Sequence, residues 1–306
     1  MTNKKTAQAR KQQQAVNAGK GAPTRSRPPT KRPKGAKARQ AASARRNRIV
    51  AMFAIGFVIM LALYIAFGGR RPSSTPVPTT SGGDAAAVAA VTSVPGSALD
   101  AVGVPSSAAA LTALPAGTTA LTSGGKPEVF YIGAEYCPYC AAQRWPLIVA
   151  LSRFGAFSGL TTSFSAGPPE DPANVPSFTF HGSTYTSQYI SFVPLETETR
   201  TRAPLETPTA EQNALVSQFN PQGSIPFMLI GSLFSHVGAS FAPSVLTGTQ
   251  ADIASKLSDP ANSTTQLIDG NANVITAGIC RLTGDQPTDV CTSSAVKAAA
   301  GKLPGA

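Results

Sequence analysis

The sequence predicts an α/β sandwich that follows a single membrane span. Three observations predict it. Residues 49–67 are apolar and uncharged. The segments beyond them read as β-α-β, an inserted stretch, then α-β-β-α, which is the order of a layered α/β domain. Charge is also divided along the chain. The formal net charge is +11, yet residues 1–48 hold fifteen Lys or Arg and no Asp or Glu. From Pro72 onward nine basic residues meet fifteen acidic ones, so the globular part is acidic by count.

Taken in order, the basic tail (1–48) is rich in Ala, Gln, Pro and Lys and nearly free of large apolar residues. It buries too little surface to offset its ordering entropy and is predicted to be disordered. No aromatic residues are interleaved with its charges, which argues against nucleic acid. "IVAMFAIGFVIMLALYIAF" (49–67) has no charge and no Pro, and as a helix it spans roughly 28 Å, close to the hydrocarbon thickness of a bilayer. A cleavable signal peptide fits less well, because the preceding segment is too long and "FGGRRPS" offers no small-x-small cleavage site. The basic excess before the span places the N-terminus in the cytoplasm and the rest of the chain outside the membrane. The tail therefore serves as a topology determinant, with contact to anionic lipid as a further role. Residues 68–96 are expected as a linker, with 72–84 extended and solvated. "AAAVAAVTSVPGSALDAVG" is either spacer or a first docking helix, and the exported domain is expected over 97–306.

Within that domain, "EVFYIGA" (128–134) reads as a buried strand. Pro138 stands at a first helical position, and Ala141, Ala142, Trp145, Ile148, Val149 and Ser152 recur at helical spacing. Arg144 and Arg153 are expected to face solvent, Trp145 to pack, and Pro146 to kink the helix. "LTTSFSA" (160–166) reads as the next strand. Residues 167–208 look like an insertion, with "FTFHGSTYTSQYISF" folding as a hairpin about "HGST". Thr209 and Gln212 form a capping box for the helix "TAEQNALVSQF". "SIPFMLIGSLFSHV" gives a strand, a turn at Gly231 and a second strand. Helices near 250–257 and 260–282 and a short one after Pro287 complete the domain.

The chain has four cysteines, all beyond the span. Cys137 immediately precedes a helix, where unpaired N–H groups and the helix dipole favour thiolate over thiol. Cys140 lies one turn on, within disulfide reach. Strand, C-x-x-C, helix is a working geometry for thiol–disulfide exchange, with Cys137 as the exposed attacking sulfur and Cys140 as the buried resolving one. An inert staple is the plain alternative. Zinc is disfavoured, since ten residues separate Cys280 from Cys291 and His181 and His236 join no cluster. No metal and no cofactor is implied. Cys280 and Cys291 flank the turn "RLTGDQPTDV" and read as a structural disulfide, with an electron-relay role as the alternative.

"GAEYCPYC", a helix, and a later "SIPF" resemble the thioredoxin superfamily. The resemblance implies a thioredoxin-like fold with an insertion before the cis-Pro strand, preceded here by a single transmembrane helix and a disordered basic tail. It makes Pro226 the cis-proline beside the cysteines, with the Ile225 backbone orienting a peptide substrate. The longer stretch "GKPEVFYIGAEYCPYCAAQRWPLIVALSRFG", with "SIPF" and "GNANVITAGIC…VC", resembles an uncharacterised family of membrane-anchored thioredoxin-like prokaryotic proteins, a domain of unknown function. Two departures stand out. Cys140 and Pro226 are about twice as far apart as in ordinary thioredoxins. Where those have a buried carboxylate six residues before the first cysteine, this chain has Tyr131. Glu135 is the nearest candidate for proton transfer. The expected function is an extracytoplasmic, membrane-anchored oxidoreductase acting on thiols or disulfides of exported proteins. The rival is a non-catalytic adaptor domain of the cell envelope with permanent disulfides.

Overall fold

The Ala-rich stretch expected as spacer or docking helix docks. The computed structural model describes residues 81–305; the expected basic tail (1–48) and span (49–67) lie outside them. Helix α1 runs Ser81–Thr92 and α2 runs Gly96–Val102, separated by the break at Pro95. Ala87 and Val91, four residues apart on one face, are fully buried. The linker expected over 68–96 is therefore corrected over its second half, where short side chains let the helix pack closely on the domain. Asp84 adds a tie, accepting from Thr162 Oγ1 at 2.7 Å. Among the described residues no single helix is long and apolar enough to cross a membrane.

The core is a mixed six-stranded sheet. Two short strands, β1 (Thr112–Ala113) and β2 (Thr122–Ser123), precede the central strand β3, Lys126–Gly133. Its apolar run is buried on both sides, as the near-continuous hydrophobic pattern requires. Helix α3 (Pro138–Leu151) follows, running through Pro146 without interruption. Four short strands come next: β4 (Gly155–Ser158), β5 (Thr161–Phe164), β6 (Pro176–Thr179) and β7 (Thr184–Ser187). Then β8 (Ser191–Glu196) pairs parallel to β3, with Gly133 opposite Glu196. Helix α4 (Ala210–Phe219) starts at the expected capping box, Thr209 with Gln212. The hairpin β9 (Phe227–Ile230) and β10 (Phe234–Val237) lies antiparallel on the other edge of β3, and β1 closes that side.

Alternation along β3 divides the core. Val129 and Tyr131 face the larger cluster, with α3 and the C-terminal helices. Phe130 and Ile132 face a smaller one with Leu195, Phe227 and Leu229, covered by Leu215, Val216 and Phe219 of α4. The remaining helices are α5 (Gln250–Ala254), the 21-residue α6 (Ser263–Thr283), α7 (Thr288–Cys291) and α8 (Ser294–Ala300). Asn262 caps α6 through two backbone N–H groups, and Gly284, left-handed at φ 64°, ends it.

Two expectations about the middle of the chain need correction. The strands flanking "HGST" do not pair with each other: β4 pairs with β7 and β5 with β6. Arms 155–164 and 176–187 thus form one antiparallel ribbon, interrupted where Gly159 and Leu160 stand opposite residues 180–183. Residues 167–208 are also not wholly additional to the central sheet, because β8 lies within them. The strand expected at 160–166 belongs to the ribbon instead. Alternating pattern marks a strand without naming its partner, and the hairpin expected in "FTFHGSTYTSQYISF" takes in the first residues of β8. Pro194 is tolerated because β8 is an edge strand.

Candidate functional site

Cys137 is the N-cap of α3, in extended conformation, and Pro138 opens the first turn. Its Sγ accepts from the Cys140 backbone N–H at 3.3 Å and lies 3.9 Å from the Ile225 carbonyl oxygen. The Ile225–Pro226 bond is cis. The fold therefore brings together Cys137, Cys140, Ile225 and Pro226 from two segments almost ninety positions apart. Both thiols are free.

The two sulfurs have unlike surroundings. The Cys137 thiol is brought down to about 7, first by its hydrogen bond with the Cys140 side chain. Burial opposes this, and the N–H groups of Cys140 and Tyr139 and the Arg144 charge assist. The Cys140 thiol is pushed well above its ordinary value, chiefly by burial and next by its bond to Cys137. Cys137 was expected as an exposed sulfur; the residue is only 6% accessible, and Cys140 is fully closed. The Ile225 carbonyl stands 3.9 Å from the Cys137 sulfur, while Tyr139 between the cysteines is 49% exposed.

Arg144, expected in solvent, is buried. Its Nε and Nη2 donate to the two oxygens of Glu196 at 2.8 and 2.6 Å, and Nη2 also donates to Ala134 O at 2.9 Å. Burial raises the Glu196 carboxyl above its ordinary range, against the pull of Arg144. Burial is the largest influence on Arg144 and opposes its charge, but Glu196, Tyr131 and Cys140 together hold it a cation, well above its ordinary value. A signal for this pair was present: Arg144 falls on the stripe of Cys137, Cys140, Ala141 and Ile148, and a cation on an apolar face demands an anion. Glu196, fifty-two positions away, left no spacing signal. Arg153 is also held, reaching Asn273 Oδ1 and Ser293 Oγ at 3.3 and 3.2 Å.

Tyr131 is fully buried, and its hydroxyl has no hydrogen-bond partner in the structure. It lies against Gly133, whose other near neighbour is Cys140 Sγ, so any side chain at 133 would collide with both. Glu135 is turned away from the sulfurs: it accepts from Thr179 Oγ1 at 2.7 Å and from the Arg200 N–H at 3.3 Å. Trp145 packs, edge-on to Phe178, with Nε1 donating to Pro176 O. His181 is at the surface against Glu206, and partly buried His236 lies 3.4 Å from Ser240 Oγ. Among the described residues no cluster of three or more His, Cys, Asp or Glu is placed to hold a metal.

Cys280 and Cys291 form a disulfide with Cα atoms 5.6 Å apart, joining the last turns of α6 to α7. Both are buried, and neither is part of the Cys137 site.

Residues 114–224 match the family described as a domain of unknown function, DUF929. The matched segment holds Cys137, Cys140, Arg144 and Glu196 and stops one residue before Ile225. This part of the chain is thus similar to an uncharacterised family. No curated protein and no solved structure matches the chain.

Proposed function

We propose that this chain is a thioredoxin-like thiol–disulfide oxidoreductase, tethered by residues 49–67 and acting on exported proteins. The observation that carries the reading is Cys137 Sγ at the mouth of α3, held by the Cys140 N–H, with its thiol near 7. About half such a thiol is ionised at neutral pH, close to the best compromise between thiolate fraction and nucleophilicity. Support for the fold comes from the sheet: a parallel β3–β8 pair joined through α3, and an antiparallel β9–β10 hairpin entered at Pro226.

In the reducing direction Cys137 thiolate attacks one sulfur of a substrate disulfide. The S–S bond breaks, its electron pair leaves on the other substrate sulfur, and a mixed disulfide forms. Cys140 gives up its proton, attacks Cys137 Sγ and expels the second substrate thiolate. The substrate gains two electrons and the Cys137–Cys140 pair becomes a disulfide. A second dithiol–disulfide protein restores the starting state. The same steps reversed oxidise a substrate dithiol. Exchange with a peptide is favoured by the Ile225 carbonyl beside the sulfur and ahead of the cis-proline, where a substrate backbone N–H can bond.

The test is Cys140→Ala in cells, followed by non-reducing gels. Mixed disulfides through Cys137 are expected and identify the substrates. One observation favours a second reading, an adaptor domain: Cys137 is nearly closed to solvent. If no partner is trapped and the Cys137–Cys140 disulfide resists reduction down to about −300 mV, the adaptor reading replaces the first.

A further inference from the structure

The buried Arg144–Glu196 pair has a place in the site that neither cysteine explains. Ala134 O accepts two donors, the Cys137 N–H at 3.2 Å and Arg144 Nη2 at 2.9 Å. The guanidinium therefore clamps the turn that delivers Cys137 to the helix. Glu196 fixes the guanidinium with two parallel hydrogen bonds, the geometry in which an Arg is least free to move. Glu196 is in turn aligned with Gly133 across the β3–β8 ladder, and its own N–H donates to Glu206 Oε2 at 2.6 Å. Three elements thus meet at one charge: the end of β3, the end of β8 and the second turn of α3. Burying two charges is costly, and an apolar pair of the same volume would serve packing as well or better. A role in placing charge accounts for what packing does not.

We propose that Glu196 is a positioning residue, which sets the reactivity of the Cys137–Cys140 pair by fixing the Arg144 cation beneath the first turn of α3. This deepens the exchange reading and rests on it for its biological meaning, but the electrostatic statement stands apart from any substrate. Arg144 favours thiolate at both sulfurs, whereas the Glu196 charge disfavours it at Cys140. Replacing the acid by its amide keeps an acceptor for the guanidinium but leaves the cation uncompensated, which makes Cys140 more acidic and, through its hydrogen bond to Cys137, Cys137 as well. Loss of the cation makes them less acidic. The two substitutions therefore act in opposite directions.

The experiment follows iodoacetamide alkylation of Cys137 against pH in the purified protein with Cys280–Cys291 intact. Arg144→Met is expected to move the alkylation midpoint up by about one unit, the low end for a nearby charge, and Glu196→Gln to move it down by less, because Glu196 reaches Cys137 only through Arg144 and Cys140. Arg144→Lys, which keeps the charge but not the fork, is expected to fall between Arg144→Met and wild type. A pair that merely braces the fold would shift both variants the same way, or only lower their melting temperatures, and either result overturns the proposal. If Arg144→Met does not fold, Glu196→Gln decides alone: a downward midpoint supports the proposal, and an unmoved or upward one ends it. Trapping with Cys140→Ala reports separately on exchange. Trapped partners with unmoved midpoints sink this inference and leave the oxidoreductase standing; opposite shifts without trapped partners do the reverse.

Discussion

The two cysteine pairs share a chemistry and differ in almost everything around it. Cys137 sits at the start of a 14-residue helix, where backbone donors point at its sulfur. Cys280 sits near the end of a 21-residue helix, where carbonyls point outward and no donor is offered. The first pair is free, with its two thiols pushed apart in acidity; the second is bonded and does not titrate. The position of each cysteine on its helix goes with the difference: an acidified free thiol at a helix start, a formed bridge near a helix end.

That contrast is broken most sharply by exchanging losses. Cys137→Ala is expected to abolish disulfide exchange with a model substrate, while the double variant Cys280→Ala, Cys291→Ala keeps it; insulin reduction reads both. Next in size is a pH effect in the C-terminal half. Asp269, on α6 with Cys280, is wholly buried, and neither carboxylate oxygen has a partner in the structure. Burial pushes its carboxyl from 3.8 to about 8. The folded state thus favours the protonated form, so its stabilisation is complete below about pH 4 and lost as pH rises through about 8. Asp269→Asn is expected to match wild type in urea at pH 4 and to exceed it by several kcal/mol at pH 9. Raising pH would then activate the first cysteine pair while loosening the helix that carries the second. Third, loss of the Cys280–Cys291 bridge closes no loop in the unfolded chain and is expected to cost about 3 kcal/mol in the same melts.

What could be read beforehand follows the reach of each signal. The strand–Cys137–Pro138 entry, the Thr209 capping box and the turn at Gly231 rest on neighbours within a few positions, and the structure has them where the pattern put them. The ribbon differs from the expected hairpin because alternation in "FTFHGSTYTSQYISF" marks two strands without naming Phe157 or Thr162 as partners. The start of β8 falls inside the segment read as a hairpin, and its parallel partner β3 lies about sixty positions away, beyond any local signal. At the site, the sulfurs and Pro226 were legible and Glu196 was not. Glu135 is near the cysteines in sequence, but in the turn after β3 its carboxylate is taken by Thr179.

The smallest expected effect tests that last point. Glu135 and Glu196 are both carboxylates near the cysteines in space or sequence, yet only Glu196 holds Arg144, whose charge favours thiolate at both sulfurs. Glu135 is engaged by Thr179 and by the Arg200 N–H, in a loop whose guanidinium donates onward to Ser165 O at 2.8 Å. Glu135→Gln removes one charge-assisted acceptor and is expected to cost about 1 kcal/mol of stability. Its effect on the Cys137 alkylation midpoint should be under about 0.3 units, and on exchange rate less than about twofold, because no hydrogen bond links it to either sulfur. A tenfold slowing, with the alkylation midpoint unmoved, would mean that protons leave Cys140 by way of this half-exposed carboxylate. The buried ion pair would then set the acidity of the thiols while a different group carried the proton away.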